Sequence, residues 1–322
     1  MGSVVDGGYP RAMPADRLML LDSASLYFRA FFGVPDQRTS PDEPPTNALR
    51  GFLDMIATLV TAHGPTHLVA CWDDDWRPQW RVDLLPTYKT HRLTEDSDVV
   101  EESPEGLTPQ VPLIREALAA VGIARLGAPG FEADDVIGTL TARHRGVMPV
   151  DVVTGDRDLL QLVDDENDIR VLYTGKGGVR EPDIVTQSFL VQRYAVPTGE
   201  AYLDMSVLRG DTSDGLPGVK GIGDKTAAQL IGAYGSLAGL RAAVDAGDPA
   251  IKGARRANLE AASAYLDVAP TVVRVAPDAP VAEVDVRLPG AVADPARLEA
   301  LAGTYGVANP VNRLLAALGL LR

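Results

Sequence analysis

Carboxylates at the ends of apolar runs are the first chemistry-bearing feature of this 322-residue sequence. Leu18 to Leu21 stops at Asp22, Leu68 to Trp72 stops at Asp73, and Val150 to Val153 leads into Thr154-Gly155-Asp156-Arg157-Asp158. An ionised carboxylate at the mouth of a buried strand is poorly solvated and costs several kcal/mol unless it has a partner. Phe131-Glu132-Ala133-Asp134-Asp135-Val136-Ile137-Gly138 adds three more acids at the start of a helical pattern. Capping and the helix dipole account for one or two of these and leave a surplus. Each motif alone reads equally well as capping. Jointly they suit a hard-cation site, because Mg²⁺ and Mn²⁺ prefer oxygen ligands and keep waters open to substrate. Two or more such ions, the closest about 3.5–4 Å apart, would stabilise the attacking and leaving oxygens of a phosphodiester, with hydrolysis the simplest reaction. His63, His67, His91 and His144 lack a metal-binding spacing, and Cys71 is the single cysteine, so there is no zinc pattern.

Two further stretches point to a polyanionic partner. Gly210 to Thr226 contains Gly218-Val219-Lys220-Gly221-Ile222-Gly223, a Gly-x-x-Gly-x-Gly turn that lets backbone N–H groups approach a phosphate, with Lys220 and Lys225 flanking it. No strand precedes it, which argues against a dinucleotide fingerprint and favours sequence-independent binding of a DNA backbone. Trp76-Arg77-Pro78-Gln79-Trp80-Arg81 and Leu85 to Arg92 interleave aromatics with cations, as single-stranded nucleic acid binding requires. A surface loop with Trp76 and Trp80 packed inward is the plainer reading of the same composition.

The elements that must position these groups follow from periodicity. Short buried strands ending in acid alternate with helical patterns at Ala48 to Ala62, Val111 to Val121, Asp134 to Arg143 and Leu159 to Val163. This predicts an α/β fold with a mainly parallel central sheet flanked by helices, whose ligands gather at the carboxyl ends of the strands. From residue 185 the pattern turns helical, with helices expected at Tyr202 to Leu208, Lys225 to Ile231 and Asn258 to Leu266. An extended tail is expected from Ala269 to Ala293, then a closing helix pair from Pro295 and Pro310. The division is therefore a flexible tail at 1–16, an α/β core at 17–184 and a helical lobe at 185–322. The 46% hydrophobic content supports a sizeable core, and the apolar runs are too short to cross a bilayer. A single cysteine suits a reducing, cytoplasmic setting. The net charge of −14 excludes a protein that coats nucleic acid by bulk charge.

Phe131 to Asp135, Thr154 to Asp158 and Gly210 to Gly223, in this order and spacing, resemble the signature segments of the 5′ nuclease (flap endonuclease) family. The resemblance is strongest to its bacterial type, the N-terminal nuclease domain of DNA polymerase I, and covers about Leu18 to Leu315. It implies a PIN-like 5′ nuclease fold, here expected in free-standing form, with a helical arch over about 86–112 and a DNA-binding helix-three-turn-helix over about 202–232. It implies one metal group at Asp22, Asp73, Glu132 and Asp134 and a second at Asp156, Asp158, Asp211 and Asp214, with Asp135 close by. Lys89 and Arg92 match the basic pair that contacts the scissile phosphate, and Arg81 matches a phosphate-binding arginine. The hairpin carbonyls would take a monovalent cation such as K⁺.

The implied activity is flap endonuclease and 5′-3′ exonuclease cleavage of flap, nicked or 5′-ended duplex DNA in replication and repair, by a monomer. RNA 5′ ends as substrate, and a DNA polymerase or sliding clamp as partner, stay open. The segment from Glu95 to Glu105 is acidic where the family's arch is basic or amphipathic, which is expected to shift substrate preference or salt sensitivity. The rival readings are a non-catalytic DNA-binding repair accessory and an RNA-directed nuclease of related fold. An aspartyl-phosphate phosphatase is disfavoured, because Asp22-Ser23-Ala24 lacks the second acid.

Overall fold

The apolar runs that end in aspartate form the centre of a six-stranded sheet in the computed structural model, which describes residues 16–38, 40, 43–94, 97 and 101–321. Its strands are β1 (Leu18–Asp22), β2 (His67–Cys71), β3 (Ala124–Leu126), β4 (Val150–Thr154), β5 (Ile169–Tyr173) and β6 (Asp183–Val185), in the order β3-β2-β1-β4-β5-β6. All pairs are parallel except β5 with β6. Strand order reverses between β1 and β4, so a crevice opens at their carboxyl ends, where Asp22 and Thr154 to Asp158 sit.

The helices are α1 (Ser23–Gly33), α2 (Asn47–His63), α3 (Gln79–Leu84), α4 (Gln110–Val121), α5 (Ala133–His144), α6 (Gln187–Tyr194), α7 (Gly199–Arg209), α8 (Asp224–Tyr234), α9 (Leu237–Asp245), α10 (Gly253–Ala261), α11 (Ser263–Val273), α12 (Pro295–Thr304) and α13 (Ala308–Ala317). Strand alternation divides β1 between two cores. Met19 and Leu21 pack with α1, α2, α4, α12 and α13, while Leu18 and Leu20 pack with α5 and with residues of α7, α8 and α11. The helical second half therefore shares a continuous core with one face of the sheet. At roughly 1.5–3 kcal/mol per fully buried large side chain, that shared face fixes the second half against the site.

Several local expectations change. Asn258 to Leu266 is split at Ala262 between α10 and α11, and no Gly or Pro marks that break. Extended chain begins at Arg274, because α11 continues through Pro270 to bury Ala269, Val272 and Val273. Leu159 to Val163 forms a short 3₁₀ turn (Asp158–Leu162) in place of an α-helix. In the expected arch, the described residues form a 3₁₀ turn at Thr90–Arg92 and an antiparallel bridge from Leu93 to Glu101 before α4 begins. Glu95, Asp96 and Asp98 lie outside the described residues, as does most of the expected N-terminal tail. No helix among the described residues is long and apolar enough to cross a membrane.

Candidate active site

Three strand ends, those of β1, β2 and β4, deliver carboxylates that neighbouring segments orient. Asp22, only 5% exposed, caps α1 by accepting the Ser25 N–H at 3.0 Å and also accepts the Thr154 hydroxyl at 2.7 Å. Asp73, just beyond β2, accepts the Ala133 N–H at 2.9 Å, which ties that strand end to the start of α5. Glu132 caps α5 in a reciprocal capping box with Asp135. One Glu132 oxygen accepts the Tyr88 hydroxyl at 2.6 Å, and the other accepts Lys89 Nζ. After β4 the chain folds back through the Thr154 hydroxyl, which accepts the Asp156 N–H at 2.8 Å, and Asp156 accepts the Asp158 N–H at 2.9 Å.

The loop from Asp211 to Gly215 comes from the helical half and docks on the segment that carries Lys89. The Lys89 N–H donates to the Asp214 carbonyl at 3.0 Å, and the Thr87 hydroxyl donates to the Gly215 carbonyl at 2.7 Å. Gly215 has φ +73°, and a Cβ there would lie 1.9 Å from the Thr87 carbonyl oxygen, so this approach requires glycine. Arg92 Nη2 donates to Asp214 at 2.6 Å.

A cavity of about 860 Å³ results, lined by Asp22, Asp73, Glu132, Asp134, Asp156 and Asp211 together with Lys89, Arg92 and Arg157. Asp158 and Asp214 border an adjoining space with Glu132 and Asp134. Burial, reinforced by Asp73 and Asp156 against the Thr154 and Ser25 hydrogen bonds, pushes the Asp22 carboxyl up to about 7. Burial followed by repulsion from Asp22, Asp156 and Glu132 raises Asp134, and burial followed by Asp156, Asp214 and Asp211 raises Asp158. Burial likewise opposes ionisation of Asp211, but its bonds from Ser213 outweigh that and hold it below the usual carboxylate range. Burial works against the charge on Lys89, yet attraction to Glu132 prevails and keeps it firmly protonated.

Repelling, poorly solvated carboxylates with an all-oxygen donor set fit hard divalent cations. Among the described residues no three Asp, Glu, His or Cys side chains are close enough to form a ready-made cage. The space left between them suits ions that retain part of their water shell.

Comparison with known proteins settles the lineage. The family described as the 5′-3′ exonuclease, N-terminal resolvase-like domain, matches residues 17–195, and its C-terminal SAM fold matches residues 197–292. The chain belongs to the 5′-3′ exonuclease family. A 5′-3′ exonuclease of Streptomyces coelicolor is 54% identical over 303 residues, covering 93% of this chain and 99% of the relative. One from Mycobacterium tuberculosis is 50% identical over 311 residues, covering 94% and 97%. A bacteriophage T5 flap endonuclease, solved as a pseudo-enzyme–product complex with DNA and metal ions, shares the fold at TM-score 0.61 and 16% identity, over 94% of this chain and 99% of that one. This exonuclease-family chain is therefore a hydrolase of the 5′-3′ exonuclease type.

The glycine-rich hairpin of this exonuclease lies between α7 and α8. Buried Val219 and Ile222 anchor it, the Val219 N–H donating to the Leu208 carbonyl at 2.9 Å, while Lys220, Gly221, Gly223 and Lys225 are exposed. Gly218, at φ +62°, passes so close to Arg209 that a Cβ would lie 2.3 Å from its carbonyl oxygen.

Asp158 and Asp214 border the adjoining space and not the main cavity, and two further assigned residues are turned away from the roles expected of them. Arg81 was expected at a phosphate, but it is 3% exposed and its guanidinium is held by Asp135, Glu132 and backbone carbonyls. Asp135 was expected beside the ions, but it is fully buried with both oxygens on Arg81. The two tryptophans divide between the earlier readings: Trp76 lines the cavity, and Trp80 packs against Phe131 under the Arg81 guanidinium. Sequence reasoning passed over Tyr88, Thr154 and Ser25, which orient the acids, and Arg157, Tyr27 and Phe28, which line the wall. For Thr154 and Arg157 the signal was their place within Thr154 to Asp158; for Tyr88, its adjacency to Lys89.

Proposed function

We propose that the chain hydrolyses DNA phosphodiesters at or near 5′ ends with Mg²⁺ or Mn²⁺ bound, acting on flaps, nicks and 5′-ended duplexes. The observation that carries this is a single cavity where carboxylates from β1, β2, α5, the β4 exit and the Asp211 loop converge, with Lys89 and Arg92 on its wall. Asp22, Asp73, Glu132 and Asp134 would hold one ion group, and Asp156, Asp158, Asp211 and Asp214 a second. Bound ions would lower the pKa of attacking water and offset charge on the phosphate. Lys89, kept protonated by Glu132, and Arg92, paired with Asp214, present fixed positive charge where the scissile phosphate would lie. Tyr27, Phe28 and Trp76 line that wall with aromatic rings against which unpaired bases would stack.

The hairpin from Gly218 to Gly223 would hold the duplex by its backbone through Lys220 and Lys225, with K⁺ on the turn's carbonyls. A single buried cysteine, Cys71, suits work in a reducing cytoplasm. The test is incubation of end-labelled flap, nicked, blunt and single-stranded DNA, plus a matching RNA flap, with Mg²⁺, Mn²⁺ or EDTA. Short 5′ fragments dependent on the divalent ion are expected. Binding to these substrates without cleavage under any ion would leave the accessory reading in its place.

A further inference from the structure

Arg81, in α3, is among the most completely satisfied side chains of the site. A guanidinium carries five N–H donors. Nε meets the Val272 carbonyl at 2.9 Å, Nη1 meets Glu132 Oε1 at 3.1 Å and Asp135 Oδ2 at 2.6 Å, and Nη2 meets Asp135 Oδ1 at 2.7 Å and the Arg274 carbonyl at 3.3 Å. Asp135 is occupied to the same degree. Its Oδ1 also accepts the Ala276 N–H at 2.8 Å, and its Oδ2 the Glu132 N–H at 3.2 Å. The guanidinium carbon lies 4.3 Å from the Trp80 ring centroid, which closes one of its faces. With these contacts neither residue has a direction left in which to meet a phosphate or an ion.

The pair joins three parts of the chain. It links α3, the start of α5, and the point where α11 leaves the helical half as the extended segment from Arg274. Glu132 is where this linkage touches the cavity, since the oxygen that accepts from Tyr88 also accepts from Arg81, while its partner oxygen faces Lys89. A carboxylate fixed through one oxygen presents the other in a set direction, and losing such a supporting donor typically weakens metal binding 10- to 100-fold.

We propose that Arg81 and Asp135 are positioning residues that orient Glu132 for ion binding and couple that orientation to the end of α11, without contacting DNA or ions themselves. The inference rests on the metal-dependent reading above.

The test is a double variant, R81M/D135L, which removes both charges together and so leaves neither buried unpaired. Mn²⁺ binding is measured directly, by electron paramagnetic resonance of the free ion. DNA affinity is measured separately, by fluorescence anisotropy on a 5′-flap duplex in EDTA. The expected result is Mn²⁺ affinity weakened about 10- to 100-fold, with the DNA dissociation constant within about 3-fold of wild type. Wild-type Mn²⁺ affinity would show a merely structural pair and overturn the proposal. So would weakened DNA binding with Mn²⁺ affinity intact, the mark of a phosphate contact.

Asp135→Asn alone separates a ligand from a positioner. Loss of one bound Mn²⁺ with the remaining affinity untouched means direct ligation and overturns the proposal, whereas unchanged stoichiometry with weaker affinity supports it. If the double variant does not fold, R81K replaces it, because lysine keeps the charge but cannot supply five directed donors. Weakened Mn²⁺ binding is again expected there, and wild-type affinity again overturns the inference. Absence of Mn²⁺ binding by the wild-type protein would instead refute the metal-dependent reading itself.

Discussion

Replacing Asp134 by Asn separates two properties that an ordinary damaging substitution loses together. The change keeps the shape of the side chain and removes one negative charge from a cavity of about 860 Å³. Treated as a sphere, that volume is roughly 12 Å across, and two carboxylates about 8 Å apart on such a wall would repel by about 1–2 kcal/mol at an effective dielectric of about 20 to 40. Asp134 faces Asp22, Asp156 and Glu132, and Lys89 offsets part of their repulsion. A net gain of about 2 kcal/mol is therefore expected for the protein in EDTA, a rise of about 3 °C in melting temperature for a chain of this size. Function should move the other way. Loss of one group that organises transition-state charge is expected to lower kcat by about 10²–10³.

The stabilisation that saturating Mn²⁺ gives the wild type, about 2.7 kcal/mol at 100 times its dissociation constant, should shrink in the variant. Differential scanning calorimetry with EDTA and with Mn²⁺, beside cleavage of an end-labelled flap and anisotropy on the same DNA, measures all of this. A lower melting temperature in EDTA, or cleavage at the wild-type rate, would show that Asp134 is an ordinary structural acid and that the cavity is not a repelling cluster.

The wild-type protein should also respond to pH in a defined direction. Burial raises the Asp22 carboxyl to about 7 from 3.8, so the folded state holds a proton that unfolding releases. The penalty is absent below about pH 4 and complete above about pH 7, so the melting temperature in EDTA should fall as pH rises from about 4 to 7 while stabilisation by Mn²⁺ grows. A flat profile in EDTA would refute it. Gly215→Ala places a Cβ against the Thr87 carbonyl at a positive φ and must displace the loop that carries Asp211 and Asp214. A loss of about 1–3 kcal/mol in stability and about 10- to 100-fold in kcat is expected by calorimetry and steady-state kinetics. Lys220→Ala combined with Lys225→Ala should weaken DNA binding equally for unrelated sequences and lower the salt slope of log Kd by about 1 per contact, at unchanged kcat. Sequence-dependent weakening in anisotropy titrations would argue against a backbone-binding hairpin.

Much of this architecture is legible in the sequence, because its strongest signals are local. Leu18 to Asp22 reads as a buried strand from its unbroken apolar run and Val150 to Thr154 from a run that only Asp151 interrupts, and their acids at Asp22 and Asp156 fall at the carboxyl ends, where parallel sheets bind ligands. β3 and β6 are too short to show a period, and Ile169–Tyr173 carries Arg170, which breaks its apolar run. The acids could be assigned one by one, but their orientation could not. Thr154 reaches Asp22 across 132 positions, and Arg81 reaches Asp135 across 54. Spacing along a chain does not encode such pairs, so Arg81 reads from sequence as one more cation in a basic, aromatic stretch. Only burial reveals that its donors point inward.

The same geometry explains why a chain with an excess of acid can hold so many carboxylates around one cavity. Donors that belong to the fold relieve part of the cost: the Ser25 and Thr154 bonds to Asp22, the Ala133 N–H on Asp73, and the Ser213 bonds on Asp211. They do not relieve all of it, since Asp22, Asp134 and Asp158 still resist ionisation. A fold selected for stability alone would place apolar or amide groups there. The residual repulsion is therefore best understood as the affinity of the site for cations, held in place by strand ends that cannot move apart without breaking the sheet. The Asp211 loop, from the second half of the chain, is held against the first half by its docking on Thr87 to Lys89, and under the proposed function that docking would set how far its carboxylates stand from those at the strand ends.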